Sequence, residues 1–296
     1  MLSVLLPTYS YPVRPLVAAL QQQLSQQKFS WEILVVDDAS PIEDRLQNAG
    51  LEDIDYRIRY LQLDENLGRA GVRNLLALEA RYDKLLFLDA DSKIPADFIT
   101  SYRPFLDRDC VICGGRVYQQ KPDDPKYLLH WVYGNQRESK SAEQRRKNPY
   151  FGFQTNNFVV PKTLLQDHPF EEASVAYGHE DTLWGYQLQS LGIEILHLDN
   201  AVEHLGLEDY DTFLRKQQEA VQNLVKLEKM YPGLPTRLGN SVQKTTVLHA
   251  VIRPCLSFLA PYLREQIAQD IPGSLYYLDA MKMQWYLAAN NQKLLR

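Results

Sequence analysis

Cysteine is scarce in this chain of 296 residues: Cys110, Cys113 and Cys255 are the three present. An odd number cannot pair completely, which excludes a disulfide-stapled scaffold and suits a reducing compartment, the cytoplasm by default. Cys110 and Cys113 form a lone CxxC in DCVICGG, and no second ligand pair stands at a spacing that would complete a zinc site. In a strand, residues three apart point to opposite faces, so the two thiols are expected to diverge as buried structural side chains. An excess of positive charge is also missing. Lys and Arg number 32 against 37 Asp and Glu, a net charge of -5, which speaks against a surface of the kind that holds nucleic acid.

Long hydrophobic runs are absent as well. The first, Leu2 to Leu6 in MLSVLLPTYSYPVRP, lacks a basic flank and is too short for a signal peptide or an anchor; it reads as a buried first strand. The most apolar later stretch, TTVLHAVIRPCLSFLAPYL (245 to 263), carries His249, Arg253, Pro254 and Pro261, which argue against a membrane span. Core packing is its first reading, peripheral contact with a membrane its second. There is no internal repeat and no low-complexity linker.

What is present is enough for a core, with 45% hydrophobic residues, arranged in alternating patterns. VLLP (4 to 7), WEILVVDDAS (31 to 40), RIRYLQLDENLG (57 to 68) and KLLFLDADS (84 to 92) read as strands with their exits. VRPLVAALQQQLSQQ (13 to 27) and AGVRNLLALEARY (70 to 82) read as the helices between them. Near-continuously apolar strands separated by helices point to parallel βαβ units covered on both faces, an α/β fold with a mostly parallel central sheet. DRDCVICGGRVYQQ (107 to 120) resembles a strand, GFQTNNFVVPKTLL (152 to 165) runs from strand to helix, and GHEDTLWGYQLQSLG (178 to 192) is helical from about Glu180 with Gly192 as its stop. IEILHL (193 to 198) is a further strand, DNAVEHLG (199 to 206) a loop leaving it, and a mainly helical appendage follows from about 207, its first helix ending before Pro232. The charged QRESKSAEQRRKN (136 to 148) reads as a solvated segment; a lid using Arg145, Arg146 or Lys147 is the lesser reading.

In open sheets of this kind ligands lie at the carboxyl ends of the strands. Three polar stretches end strands here: Pro7-Thr8-Tyr9, Asp37-Asp38-Ala39-Ser40 and Asp89-Ala90-Asp91. Residues i and i+2 of extended chain project to one side, so Asp89 and Asp91 can face one ligand, and a hard cation such as Mg²⁺ or Mn²⁺ takes one or two carboxylates and completes its shell with water and phosphate. The alternative is a solvated turn. Asp38 or Ser40 can cap a helix, or Asp38 can accept from a nucleotide base or sugar. Glu180 and Asp181 at a helix start favour the macrodipole, which lowers an acid's pKa, whereas burial raises it towards that of a general base. His204 by itself is a lone loop histidine.

Taken in order, LLPTYS (5 to 10), EILVVDDAS (32 to 40), NLGRAGVRN (66 to 74), FLDADS (87 to 92), TNNFVVPKTLL (155 to 165), the GHED helix and the late His204 resemble family-2 glycosyltransferases of the GT-A fold. The resemblance covers about residues 2 to 206, implying a Rossmann-like GT-A catalytic domain there and leaving 207 to 296 as a helical C-terminal extension. It implies an inverting, metal-dependent transfer of a sugar from a nucleotide diphosphate donor, a UDP-sugar first, to the hydroxyl of a saccharide or lipid-linked saccharide. Pro7, Thr8 and Tyr9 would then cradle the base, Asp38 would accept from it, and Arg73 would lie near base or diphosphate. Asp89, with Ala90 beside it, would approach the ribose or a metal-bound water, Asp91 would bind Mn²⁺ or Mg²⁺, and His204 would be a further ligand. Asp181 would be the catalytic base and Glu180 would orient a sugar; Trp184 is a sugar platform or core. His179 stands where the family often has Gly, and the Gln/Arg-x-x-Arg-Trp motif of processive synthases is absent with its membrane spans, implying single additions by a soluble or peripherally attached enzyme. A bacterial surface polysaccharide or lipopolysaccharide pathway is the implied setting, at the inner face of the plasma membrane. A sugar nucleotidyltransferase should instead carry a Gly-rich basic loop after the first strand, where PTYSYPVRP stands; a non-catalytic nucleotide-sugar module is the remaining alternative.

Overall fold

The computed structural model describes residues 1–118, 120–172, 177–243, 249–269 and 273–291. It divides into a unit of Met1–Gln119, Glu138–Ala173 and Glu180–Gly206, and a unit of Gln120–Arg137, Ser174–His179 and Leu207–Arg296.

The first unit is built on strands β1 (Leu2–Thr8), β2 (Trp31–Asp37), β3 (Ile58–Gln62), β4 (Lys84–Leu88), β5 (Ser92–Lys93), β6 (Val111–Cys113), β7 (Arg116–Val117), β8 (Asn157–Pro161), β9 (Ile195–His197) and β10 (Val202–His204). Seven form one sheet in the order β3-β2-β1-β4-β8-β6-β9, in which β8 alone runs against its neighbours. The near-continuous apolar runs are the cause: a strand buried on both faces must be apolar throughout, and helices cover both faces of this sheet. One core gathers Leu16, Val17 and Leu20 of the Arg14–Leu24 helix with Phe98 and Tyr102; the other gathers Val72 and Leu76 of the Gly68–Glu79 helix with Leu165, Trp184 and Leu188. Cys110 falls in the first core and Cys113 in the second, the divergence that strand geometry requires.

Register places the polar strand ends on one edge. Thr8 stands opposite Asp37, and Asp37 opposite Gln62.

Two expectations are corrected by a second sheet of order β5-β10-β7. The stretch read as one strand from 107 to 120 splits into β6 and β7 at Gly114 and Gly115. Gly115 has φ +84°, and a Cβ there would stand 2.7 Å from the Arg145 guanidinium carbon, so the break needs glycine. His204, read as a loop residue, ends β10, paired with Ser92 in antiparallel register.

The second unit is helical. Leu129 and Val132 pack with Phe213, Leu214, Val221 and Val225 of the Tyr210–Met230 helix and with Leu278, Trp285 and Tyr286 of the Ser274–Asn291 helix. In the His249–Gln269 helix, core packing holds for one face of the apolar segment, where Leu263 is buried with Leu256 and Ala260 beside it, and fails for the other, where Phe258, Leu259 and Tyr262 are exposed, Phe258 by 85%. No helix among the described residues is long and apolar enough to cross a membrane. Residues 245–248 of that apolar segment lie outside the described residues.

Candidate active site

The edge formed by β1 and β2 is set by short-range hydrogen bonds. Thr8 Oγ1 donates to the Tyr11 carbonyl (3.1 Å), and Ser10, at φ +49°, donates its N–H to Ser40 Oγ (2.8 Å). Pro7 and Thr8 lie within β1, whereas Tyr9 projects from the edge, 57% exposed. Asp37 is fully buried and structural, accepting from Ser40 N–H (2.8 Å) and the Tyr60 hydroxyl (3.0 Å).

Asp38 caps a helix, but not the next one along the chain. Its two oxygens accept from the N–H groups of Leu67 (2.7 Å) and Gly68 (3.0 Å), at the start of the Gly68–Glu79 helix. The N-cap residue of that helix, Leu67, has no capping side chain, so the strand-end carboxylate, joined by Asn66 Oδ1 at 3.1 Å from the Gly68 N–H, satisfies its open donors. Burial pushes the Asp38 pKa up, against the pull of those two bonds.

The capped helix delivers Arg73. Its Nη2 donates to Asp89 Oδ1 at 2.9 Å, while its buried Nε has no partner. The other Asp89 oxygen stands 3.7 Å from Arg116 Nη2, on β7. Arg116 also reaches Glu138 (3.1 Å) and the Tyr118 hydroxyl (3.4 Å). Asp89 is therefore clamped between two guanidiniums, and Ala90 beside it packs against the first core.

Asp91 is arranged differently. Its buried Oδ1 lies 3.3 Å from His204 Nδ1. The small sheet makes this approach, since β5 starts one residue after Asp91 and pairs with the end of β10; Leu205 N–H then donates to the Asp91 carbonyl at 2.8 Å. Gly206 leaves room for the carboxylate, because a Cβ there would collide with Asp91 Oδ2. Burial raises the Asp91 pKa, but His204, Arg116 and Arg69 together hold it below the ordinary carboxylate range.

The two side chains fit a hard divalent cation. Adjacent ligands of an octahedral ion at about 2.1 Å lie roughly 3 Å apart, close to the observed separation of oxygen and imidazole nitrogen. No group of three or more His, Cys, Asp or Glu suited to a metal occurs among the described residues, so water and substrate phosphate would supply the rest of the shell.

Glu180 and Asp181 begin the Glu180–Ser190 helix, after His179 at φ +71°. Burial raises the Glu180 pKa, but Arg69, 3.4 Å away, and Arg73 bring it below the ordinary value. Asp181 goes the other way: burial and the adjacent Glu180 charge push it up to about 6, despite hydrogen bonds from Thr182 and the charge of Arg116. Neighbouring acids are thus driven apart, one to stay ionised and one to exchange a proton near neutral pH.

Other expectations are settled against a functional role. Trp184 is 1% exposed, donates Nε1–H to the His168 carbonyl (2.9 Å) and packs with Phe153, Phe158 and Phe170; it is core, with no face for a sugar. Arg145 is buried and donates to the carbonyls of Cys113, Gly114 and Leu198, and Arg146 donates to that of His197. A lid that uses these two donors is ruled out. Arg69, Arg116 and Glu138 were missed. The Gly-Gly before Arg116 signalled a turn, yet Tyr118 is the one near partner of Arg116; its carboxylate partners Glu138 and Asp89 stand 22 and 27 positions away, beyond any sequence spacing rule.

Comparison with known proteins gives one family. A model of "Glycosyl transferase family 2" matches residues 3–168, a segment that ends before Glu180, Asp181 and His204. The fold resembles that of the mannosyltransferase PcManGT from Pyrobaculum calidifontis, solved with GDP-Man and Mn²⁺: TM-score 0.57, 18% identity, covering 99% of this chain and 86% of that one. It also resembles glucosyl-3-phosphoglycerate synthase from Mycobacterium tuberculosis, solved with Mg²⁺ and UDP: TM-score 0.52, 14% identity, covering 80% and 81%. In sequence, WcaA of Escherichia coli K12, provisionally named a colanic acid biosynthesis glycosyl transferase, is 26% identical over 136 residues. The match takes in 43% of this chain and 48% of that relative, so the chain spans about half of its length.

Proposed function

Because the chain belongs to glycosyl transferase family 2, we propose that it moves a hexose from a nucleotide diphosphate donor, a UDP-sugar, to an acceptor hydroxyl with inversion at the anomeric carbon. One observation carries this reading. Within one cluster, Asp91 is held ionised beside His204 while Asp181 is raised to about 6. One carboxyl is suited to hold a cation and the other to take a proton.

Asp181 removes the proton from the acceptor hydroxyl as its oxygen attacks the face of the anomeric carbon opposite the diphosphate. Glu180 stays ionised and accepts from sugar hydroxyls. Asp38, Pro7, Thr8 and Tyr9 line the base end of the donor, and Arg73 with Arg116 gives the diphosphate a positive wall anchored on Asp89. Asp91 and His204 would hold Mn²⁺ or Mg²⁺, the ions bound in the two structural neighbours, and that ion would supply charge neutralisation for the departing nucleotide diphosphate. The cluster sets Arg69, Arg73 and Arg116 against Asp89, Asp91, Glu138, Glu180 and Asp181, an excess of carboxylate that a divalent ion would offset.

UDP is bound by the mycobacterial neighbour, and the colanic acid relative supports a bacterial surface polysaccharide as the setting. We assign catalysis to residues 1–206 and regard 207–296 as a helical extension. The acceptor is a saccharide, free or lipid-linked, met in the cytoplasm or peripherally at the inner face of the plasma membrane. The test is a panel of nucleotide-sugar donors with Mn²⁺ or Mg²⁺, read by released nucleotide diphosphate. Turnover with one donor is expected; no turnover combined with no metal-dependent nucleotide binding would overturn the reading.

A further inference from the structure

Arg116 begins β7, where parallel register pairs it with Val202, two residues before His204. The small sheet thus brings a guanidinium beside the strand that ends in the candidate metal ligand. Its side chain is 16% exposed and lies between two carboxylates, 3.7 Å from Asp89 and 3.1 Å from Glu138. Glu138 also accepts from the Tyr118 hydroxyl at 2.5 Å, which fixes its position. Burying a guanidinium is costly unless carboxylates compensate it, and here both compensating groups belong to the site or brace it. Arg116 Nε remains buried with no partner, so the side chain is not placed to satisfy all of its own donors.

We propose that Arg116 is a positioning residue of this site: with Glu138 as its brace it fixes Asp89, and it supplies the positive charge shared by the Asp89–Asp91 and Glu180–Asp181 pairs. The inference rests on the reading of Asp181 as the base. Among charged groups, Glu180 from its own helix raises the proton affinity of Asp181 and Arg116 from β7 lowers it. Around Arg116 stand Glu138, Tyr118 and Asp89, and its charge also reaches Asp91. Removal of the guanidinium leaves these acids repelling one another, so Asp181 ionises at higher pH.

Arg116→Gln, Arg116→Lys and Glu138→Gln are compared with the wild type by thermal melting, by the pH profile of transfer and by carbon-13 titration of the aspartate carboxyls. Arg116→Gln should move the acid limb up by about one unit, close to a tenfold loss of rate well below that limb. Arg116→Lys should restore most of it, and Glu138→Gln should move the limb down. A folded Arg116→Gln with an unmoved limb, or a lysine variant no better than the glutamine one, overturns the proposal. If Arg116→Gln fails to fold, an upward or absent shift in Glu138→Gln overturns it instead. A wild type that transfers from no donor defeats the functional reading, and the carbon-13 titration of Asp181 still decides the part played by Arg116.

Discussion

At the scale of single residues, the site depends on carboxyls made unequal by their surroundings. Asp181→Asn should cut kcat by about 10²- to 10⁴-fold while nucleotide binding, measured by calorimetry, persists. The wild-type rate should rise with pH through about 6, as Asp181 loses its proton. The same shift has a cost in stability. The folded value lies above the ordinary 3.8, so the folded chain holds this proton more tightly than the unfolded one, and stability falls as pH rises through about 6. Asp181→Asn removes that penalty and should melt at or above the wild-type temperature at pH 7.5; a clear drop would mean that Asp181 serves the helix start instead. His204→Ala should raise the metal concentration for half-maximal transfer by about tenfold or more, read by titrating Mn²⁺ into the assay.

At the scale of elements, one carboxylate holds together a strand end and a helix start. Asp38→Ala leaves the Leu67 N–H without its acceptor and the Gly68 N–H with Asn66 Oδ1 alone and should cost about 1 kcal/mol, seen as a lower urea midpoint with an unchanged slope. Because that helix carries Arg73, nucleotide affinity should weaken as well; Asp38→Asn, which keeps one acceptor, should lose less of both. In the small sheet Gly206→Ala drives a methyl into Asp91, and metal-dependent nucleotide binding should fall although the strands still pair. The sequence showed Asp38 as a capping residue but not its helix, because the capped N–H groups lie 29 and 30 positions away.

At the scale of the whole chain, burial separates side chains that composition treats alike. Phe158 is fully buried in the second core of the sheet unit, whereas Phe258 is 85% exposed on the His249–Gln269 helix. Phe158→Ala should cost about 3–5 kcal/mol and Phe258→Ser less than about 0.5 kcal/mol, both measured by denaturant melts. The βαβ alternation and the strand-end positions of Asp38, Asp89 and Asp91 were legible in the sequence, because a strand buried on both faces must be apolar until it meets solvent, and acids mark where it does. The helix opening at Glu180 was legible for a similar reason, since its apolar period and the Gly192 stop are local. Tertiary structure alone decided that Asp89 is clamped by Arg73 and Arg116, that a second sheet carries His204 to Asp91, that Arg145 and Arg146 are tied to strand carbonyls, and that Phe258 faces outward. Each depends on partners distant in sequence or on which face of an element is covered, and local pattern fixes an element's period without fixing what packs against it.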